Sequence, residues 1–375
     1  MSVSPLRIIG ILSMLLATYD IIAQKRVIID FRIKSVILWL TYGLITFFWV
    51  TNKERFNSYY LIYLNNALMF LVFSLVSFTE NETVFLKKSM VFGVVSLLLY
   101  MRFFPNAVSY SDYQHRLTLN AGKAGLDQNY LAALMLISFG IVLYNLINVK
   151  QSKIKNICSI FFCIAVIYCV ILTGSRSGLI ALFLITLLCI NTSWKTILKI
   201  GIPVIIVLYV LFTIFSKHIP AELYERFSLS AMMGQEAESG SRLIIWKKAL
   251  ESLKNLNWIF GYGIGASQTV IGYVLNNGKE MAIHNHYLAM FVETGVFGFF
   301  LINYPIFKML KELRKSKKEI FVSFMGIALM AFFLDVLTTK FFWSALILMS
   351  AIYSSAVQNK GKKENYVIIN SCPGI

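Results

Sequence analysis

The chain has 375 residues, of which 58% are hydrophobic, 15% are aromatic and only 14% are charged. Its mean hydropathy of +0.69 is too high for a soluble domain of this length, so the composition indicates a polytopic membrane protein. The formal charge of +17 does not indicate a nucleic-acid partner, because the lysines and arginines form short clusters between apolar segments and no single basic face.

The apolar segments predict an all-α fold, a polytopic bundle of about eleven transmembrane helices (about 10–12) with one long external loop that contains short helices. The first segment lacks a small-residue cleavage site, so it is interpreted as a retained helix. The seventh segment is short, which suggests that it ends deeper in the bilayer or that Ser175 begins inside a cavity. The predicted helices are Leu6–Ala23, Ser35–Val50, Tyr60–Phe78, Phe85–Phe104, Gln128–Ile147, Ile154–Thr173, Ser177–Ile190, Ile200–Phe215, Tyr287–Phe307, Ile320–Val336 and Phe341–Ala356.

The lysine and arginine clusters predict the orientation, because short cytoplasmic loops are rich in these residues. They indicate an outside N-terminus and a cytoplasmic C-terminus, although Lys53 and Arg55 then lie outside. The sequence thus divides into N-terminal transmembrane helices (1–216), a long external loop (217–283), and C-terminal transmembrane helices with a cytoplasmic tail (284–375). The basic segments are Lys25–Lys34, Lys87–Lys88, Lys150–Lys155, Lys195–Lys199, Lys308–Lys318 and Lys360–Lys363.

Of the five cysteines, four lie inside apolar segments and Cys372 lies alone in the tail. None has the spacing of a disulfide pair or a metal-ligand pair, so we interpret them as packing residues. The sequence indicates no metal site and no cofactor.

The long loop contains a segment with helical spacing, Ser241–Asn255, which is interpreted as an interfacial helix. Arg242 and Trp246 are four residues apart on one face of this helix, where a cation–π contact is possible. The alternative is a basic residue that snorkels to the membrane surface. The following Gly261-Tyr-Gly-Ile-Gly265 is not a nucleotide fingerprint, because no strand–helix–strand unit surrounds it. Tight turns or a close backbone approach explain these glycines better.

A second informative motif is Thr173-Gly-Ser-Arg-Ser-Gly178, which places Arg176 between two apolar helices. A guanidinium binds phosphate with two parallel hydrogen bonds, and the following helix adds N–H donors and partial positive charge. The motif is therefore a candidate phosphate site. A contact with a lipid headgroup and an ion pair with Glu293 are the structural alternatives.

Two further polar groups precede the fifth predicted helix. His115 and Arg116 are followed by Gly125-Leu-Asp-Gln-Asn129. Asp127 and Asn129 are predicted to cap that helix, or else to orient sugar hydroxyls or an arginine.

The last motif is the segment from His284 to Phe299, where a polar loop leads directly into an apolar helix that carries Glu293. An imidazole exchanges protons near neutral pH, and intramembrane carboxylates are usually functional. The alternative is that His284 and His286 only form interfacial hydrogen bonds and that Glu293 bridges two helices.

Together these motifs resemble the bacterial O-antigen ligase and polymerase family over roughly residues 116 to 310. Gln128 departs from the pattern, because the family commonly has proline there. The residues that carry the resemblance are His284-Asn-x-x-Leu288 with Glu293-x-Gly295-x-x-Gly298, Ser175-Arg176-Ser-Gly, Arg242-x-x-x-Trp246, Gly261-x-Gly263 and Asp127-x-Asn129.

The resemblance implies a metal-independent glycosyltransferase in the bacterial cytoplasmic membrane, with its active site on the outer face. It implies undecaprenyl-pyrophosphate-linked oligosaccharide as donor, with an acceptor glycan, membrane lipid, and a chain-length regulator and flippase as partners. Among these functions we favour a polymerase of O-antigen, capsule or exopolysaccharide. The alternative is an O-antigen ligase that transfers glycan to a lipid A core.

Roles follow from the chemistry of this transfer. Arg176 and Arg242 are predicted to stabilise the leaving pyrophosphate, and His284 is predicted to be the base, with His286 as second choice. Glu293 is expected to fix the imidazole or an arginine. The predicted substrate-binding residues are Arg116, Asp127, Asn129, Ser175, Trp246, Asn285, His286 and Glu293.

Two other classes of protein share the polytopic composition. A flippase or other transporter is expected to have charges at the bilayer midplane and internal repeats, whereas here the charges gather at the outer face. A scaffold or sensor of an envelope complex leaves Arg176, Arg242 and His284 without a role.

Overall fold

A computed structural model of the chain describes residues 5–24, 26–110, 116–120, 126–190, 242–254, 256–275, 280–358 and 366–368. The described residues are mostly helical, which confirms the all-α class. The first seven helices are α1 Pro5–Gln24, α2 Phe31–Ile45, α3 Lys53–Leu75, α4 Glu80–Phe103, α5 Gln128–Asn148, α6 Lys153–Leu172 and α7 Arg176–Cys189.

The remaining described helices are α8 Arg242–Ser252, α9 Asn257–Phe260, α10 Ala266–Leu275, α11 His286–Ser316, α12 Lys318–Met330 and α13 Lys340–Gln358. Short 3₁₀ helices lie at Thr46–Phe48 and Pro105–Ala107. Two antiparallel ribbons, which the sequence did not predict, pair β1 Arg26–Ile28 with β4 Tyr366–Ile368, and β2 Val108–Tyr110 with β3 Leu117–Leu119.

Among the described residues, 7 helices are long and apolar enough to cross a membrane, which agrees with a multi-pass membrane protein. These helices are Phe31–Phe48, Lys53–Leu75, Glu80–Phe103, Gln128–Asn148, Lys153–Leu172, His286–Ser316 and Lys340–Val357.

Three of the predicted helices have different outcomes in the structure. The predicted helix Ile200–Phe215 lies outside the described residues. The seventh, α7, is short as expected, with 14 residues. The tenth was predicted as Ile320–Val336, but α12 ends at Met330 and the chain continues in turns that contain Asp335. The apolar run was thus a poor guide to where this helix ends. The described helices therefore do not establish the predicted count of about eleven.

The chain forms two compact units. The first unit consists of residues 1–86, 244–317 and 335–375, and the second consists of residues 87–243 and 318–334. The second unit packs α12 against α5 and α7. Two glycines allow this close packing, because a Cβ on Gly140 would lie 2.4 Å from the Ser323 hydroxyl and one on Gly326 would lie 2.4 Å from Ile185.

The first unit packs α2 against α3 and α11, and α13 against α3. Arg32 is fully buried there, where it pairs with Asp30 at 2.6 Å and donates to the carbonyl oxygen of Ser350 at 2.7 Å. A buried charge requires such partners, so this pair fixes the start of α2 against α13.

Helix α11 is interrupted at Gly295, whose φ of 61° lies in the left-handed region. The loop after α9 packs against this break. Its backbone N–H groups at Tyr262 and Gly263 donate to the carbonyl oxygens of Val292 and Glu293, at 2.9 and 2.8 Å. The loop thus supplies hydrogen bonds to helix carbonyls that the break leaves without their usual partners.

Candidate functional site

Arg116 lies in the second unit, next to the motif that contains Arg176. Its Nε donates to the carbonyl oxygen of Thr173 at 2.8 Å, and its Nη2 donates to Oδ1 of Asn129 at 3.1 Å. The side chain is buried, with an exposed fraction of 9%. Arg116 therefore joins the N-terminus of α5 to the turn before α7, and Asn129 has the arginine-orienting role that the sequence suggested.

Three guanidinium groups and one carboxylate share this part of the second unit. Burial lowers the pKa of Arg116; Asp127 opposes this shift, and the charges of Arg242 and Arg176 add to it. Burial also lowers the pKa of Arg242, again with opposition from Asp127 and a further lowering by Arg176. Asp127 and Arg176 thus act electrostatically on both Arg116 and Arg242, and Arg242 acts on Arg116. The cluster carries an excess of positive charge that suits an anion.

Arg242 is partly buried, and its guanidinium lies over the ring of Phe333, 5.8 Å from the ring centre. The sequence predicted a cation–π contact with Trp246 instead. The ring that the structure places under this guanidinium comes from the segment after α12, a partner that spacing along α8 could not indicate.

Helix α7 begins at Arg176, and its capping residue is Ser175. The Ser175 hydroxyl is fully buried and accepts a hydrogen bond from the N–H of Gly178 at 3.1 Å. Gly174 has a φ of 61°, which permits the tight turn between α6 and α7. Ser175 therefore has a capping role, and Arg176 stands at the positive end of the helix dipole.

Asp127 likewise caps α5, because its Oδ1 accepts from the N–H of Asn129 at 2.8 Å. It combines this role with its electrostatic effect on Arg116 and Arg242. The cap predicted for Asp127 is therefore observed, and its role in orienting sugar hydroxyls or an arginine stays a prediction.

The first unit contains the histidine motif. His284 is exposed and has a φ of 52°. Among the residues that the structure describes, no other non-glycine residue has a positive φ. Such a conformation is strained for a residue with a side chain, and strain of this kind is concentrated at functional sites. Of the two candidate bases, His284 is therefore the one that is accessible to a substrate.

His286 is buried, with an exposed fraction of 2%, and is the first residue of α11. Its Nδ1 lies 3.8 Å from Oδ1 of Asp335, and its ring contacts those of Tyr287 and Phe342. Asp335 is a residue that the sequence analysis missed. Its position inside a predicted apolar segment was a signal, because a carboxylate there is costly and calls for a partner.

Glu293 is fully buried in the first unit. Its Oε1 accepts from the hydroxyl of Ser267 at 2.6 Å, and its Oε2 accepts from the hydroxyl of Tyr63 at 3.5 Å. The sequence suggested that Glu293 fixes an imidazole or an arginine. The structure instead shows it between α3 and α10, with hydroxyl partners that no spacing along α11 could predict.

Two other predicted substrate-binding residues make structural contacts in the first unit. Asn285 caps α11, because its Oδ1 accepts from the N–H of Leu288 at 3.1 Å. The indole Nε1 of Trp246 donates to the carbonyl oxygen of Ile283 at 3.1 Å. Both residues therefore support the backbone on either side of His284.

Within the described ranges, no group of three or more His, Cys, Asp or Glu side chains is arranged to hold a metal ion. The positive charges of the arginine cluster in the second unit are the guanidinium groups of Arg116, Arg176 and Arg242.

The fold and these residues define a helical multi-pass membrane protein with a partly buried arginine cluster and an exposed, strained histidine. Residues 161–302 match the family model described as O-antigen ligase. This match supports the resemblance to the O-antigen ligase/polymerase family that the motifs predicted. Arg116, Asp127 and Asn129 precede the matched segment. A search of curated proteins found no match.

Proposed function

We propose that the protein is a polysaccharide polymerase that transfers undecaprenyl-pyrophosphate-linked repeat units to an acceptor glycan. The arginine cluster of the second unit is the observation that carries this proposal. Three guanidinium groups with one carboxylate leave a net positive charge, and the N-terminus of α7 at Arg176 adds the N–H donors that a pyrophosphate requires. The O-antigen ligase family match supports a lipid-linked glycan as the donor.

In the proposed reaction, the oxygen of an acceptor hydroxyl attacks the anomeric carbon of the donor glycan. The bond between that carbon and the pyrophosphate oxygen breaks, and undecaprenyl pyrophosphate leaves with the bonding electrons. The proton of the hydroxyl passes to the imidazole of His284, whose exposure suits it to meet a substrate. The negative charge that develops on the pyrophosphate is stabilised by Arg176 and Arg242.

Arg116 has a different role in this proposal. Its bonds to Thr173 and Asn129 hold the turn from which Arg176 projects. Arg116 also adds positive charge to the cluster. This role combines positioning with the substrate binding that the sequence suggested.

One contact supports an external site. Arg55 lies in the first turn of α3. It forms an ion pair with Glu280, which belongs to the segment predicted to be external. Arg55 and Glu280 must therefore lie on the same side of the membrane. Arg55 was an exception to the rule that basic residues remain in the cytoplasm, and this ion pair gives it a reason to lie outside.

An O-antigen ligase is the second candidate, because the description of the matched family names this activity. The two functions share the donor and differ in the acceptor. Deletion of the gene, followed by electrophoresis of surface glycan and of lipid-linked glycan, distinguishes them. Loss of a polymerase leaves single repeat units, whereas loss of a ligase leaves lipid-linked polymer. A normal glycan profile in the deletion strain would exclude both functions.

A further inference from the structure

The strained backbone of His284 needs support from its neighbours. A residue with a side chain loses roughly 1–3 kcal/mol in a sparsely populated conformation, so it remains there only when surrounding contacts determine it. With a φ of 52°, His284 is in this situation. The backbone on either side of His284 is held by contacts that the structure shows.

Trp246 makes the contact directly before His284. Its indole Nε1 donates to the carbonyl oxygen of Ile283 at 3.1 Å. The indole is fixed in turn, because it packs against a buried apolar cluster. This cluster consists of Ile245, Ala249, Ile271, Ile283, Ala289 and Val292.

Gln268 on α10 makes a second contact, slightly earlier in the chain. Its backbone carbonyl oxygen accepts from the N–H of Met281 at 3.2 Å. Its side chain donates to the hydroxyl of Tyr59 at 2.7 Å and accepts from Arg55. Arg55 also pairs with Glu280, so the segment that leads to His284 is attached to α3 and α10.

The third contact follows His284. Asn285 caps α11 through its bond to the N–H of Leu288, which fixes where the helix begins. His284 therefore lies between a carbonyl held by Trp246 and a helix start held by Asn285. A single residue between two fixed points has little freedom to relax its φ.

We infer that Trp246 is a positioning residue for His284: its indole N–H holds the Ile283 carbonyl and thereby keeps the imidazole directed for proton transfer. This inference rests on the proposed function, because His284 is the base of that reaction. It assigns Trp246 no contact with the sugar. Gln268 holds an earlier part of the segment, because its backbone carbonyl accepts from the N–H of Met281.

The test compares Trp246→Phe with the wild-type protein. Phenylalanine keeps an aromatic ring in the apolar cluster and removes the N–H donor. Trp258→Phe is the matched control, since Trp258 is an indole with an exposed fraction of 50% in the same region. The donor probe is lipid-linked oligosaccharide extracted from a strain without the gene, and the purified protein is assayed in lipid nanodiscs.

We expect Trp246→Phe to lower kcat about tenfold while KM for this donor stays within about twofold, because misplacement of a reacting group affects the chemical step. Trp258→Phe keeps both constants. A loss of folding would reduce the amount of active protein and also the melting temperature, which is measured in parallel. If Trp246→Phe does not fold, Trp246→Leu, which also keeps an apolar side chain and removes the N–H donor, replaces it in the comparison.

Hydrogen–deuterium exchange tests the same inference without the enzymatic reaction. Trp246→Phe is expected to exchange faster in peptides that cover residues 281–290, and Trp258→Phe is not. Unchanged exchange in this segment together with unchanged kcat overturns the inference. If the wild-type protein transfers no glycan, the proposed function fails. Faster exchange in Trp246→Phe would still support the inference that Trp246 holds the backbone next to His284.

Discussion

A Cβ on Gly295 would lie 2.1 Å from the carbonyl oxygen of Ile259. This distance is far below any real contact between a methyl group and an oxygen, and the φ of 61° at Gly295 is also unfavourable for alanine. Both the break in α11 and the close approach of α9 thus depend on the missing side chain.

Gly295→Ala is therefore expected to destabilise the protein by about 2 kcal/mol or more, through the left-handed φ and the overlap with Ile259. The measurement is thermal unfolding in detergent, followed by tryptophan fluorescence. Gly93→Ala is the control, because a Cβ there meets no atom within 4 Å. Gly93 lies inside α4, where alanine is expected to stabilise by up to about 1 kcal/mol. Equal melting temperatures for the two variants would refute this account of the break.

The glycine motif is a feature that the sequence predicted well. Its residues were expected to allow tight turns or a close backbone approach, and a Cβ on Gly261 would lie 2.3 Å from the carbonyl oxygen of Glu293. Glycine is informative because it often occurs where the backbone conformation or a close contact leaves no room for a side chain. The sequence could not identify the partner, since Gly261 and Glu293 are distant in the chain and no periodicity relates them.

The charged site was predicted less completely. The motifs named the arginines, but hydropathy placed Asp335 inside an apolar helix and gave no sign of its approach to His286. Likewise, the partners of Glu293 lie on α3 and α10, and only the packing of the folded chain brings these elements to α11. The residue types of Asp335 and Glu293 indicated that these carboxylates need partners, but only the tertiary structure identifies the partners.

Removal of charge from the arginine cluster tests the anion site. Arg176→Gln and Arg242→Gln are each expected to lower glycan transfer by about 10²–10³-fold, as loss of one donor to a developing anion does. Neither change should alter the amount of protein in the membrane. Arg314→Gln serves as the control, because Arg314 is an exposed arginine near the end of α11. Transfer at the wild-type rate in both cluster variants would exclude these arginines from the reaction.

Arg116 is expected to affect stability as well as transfer. Arg116→Met keeps much of the side-chain length but leaves the Thr173 carbonyl and the Asn129 amide without their guanidinium partner. Each buried polar group that loses its partner costs about 1–3 kcal/mol, so the melting temperature should fall.

We also expect the donor KM to rise in Arg116→Met, because the turn that presents Arg176 is no longer held. Arg102→Met, in the last turn of α4, provides the comparison. A variant with normal stability and a normal donor KM would show that the bonds of Arg116 do not position this turn.

Glu293 is predicted to matter for the fold through its hydroxyl partners. Glu293→Ala removes the acceptor for Ser267 and Tyr63 in a fully buried place, and should cost several kcal/mol in total, at about 1–3 kcal/mol for each group left without a partner. Thermal unfolding measures this loss. Glu54→Ala, in the first turn of α3, is an exposed comparison that should change stability little. A similar melting temperature in both variants would argue against a structural role for Glu293.

Substitution of His284 is expected to affect glycan transfer, whereas substitution of His286 is expected to affect stability. His284 is exposed, so His284→Gln is expected to abolish transfer while the melting temperature and membrane abundance stay normal. His286 is buried between aromatic rings and close to Asp335, so His286→Gln should destabilise the protein by about 1–3 kcal/mol. Transfer is measured with equal amounts of folded protein, as judged by size-exclusion chromatography. His284→Gln with full transfer would remove this residue as the base, and unchanged stability in His286→Gln would show that its buried contacts contribute little.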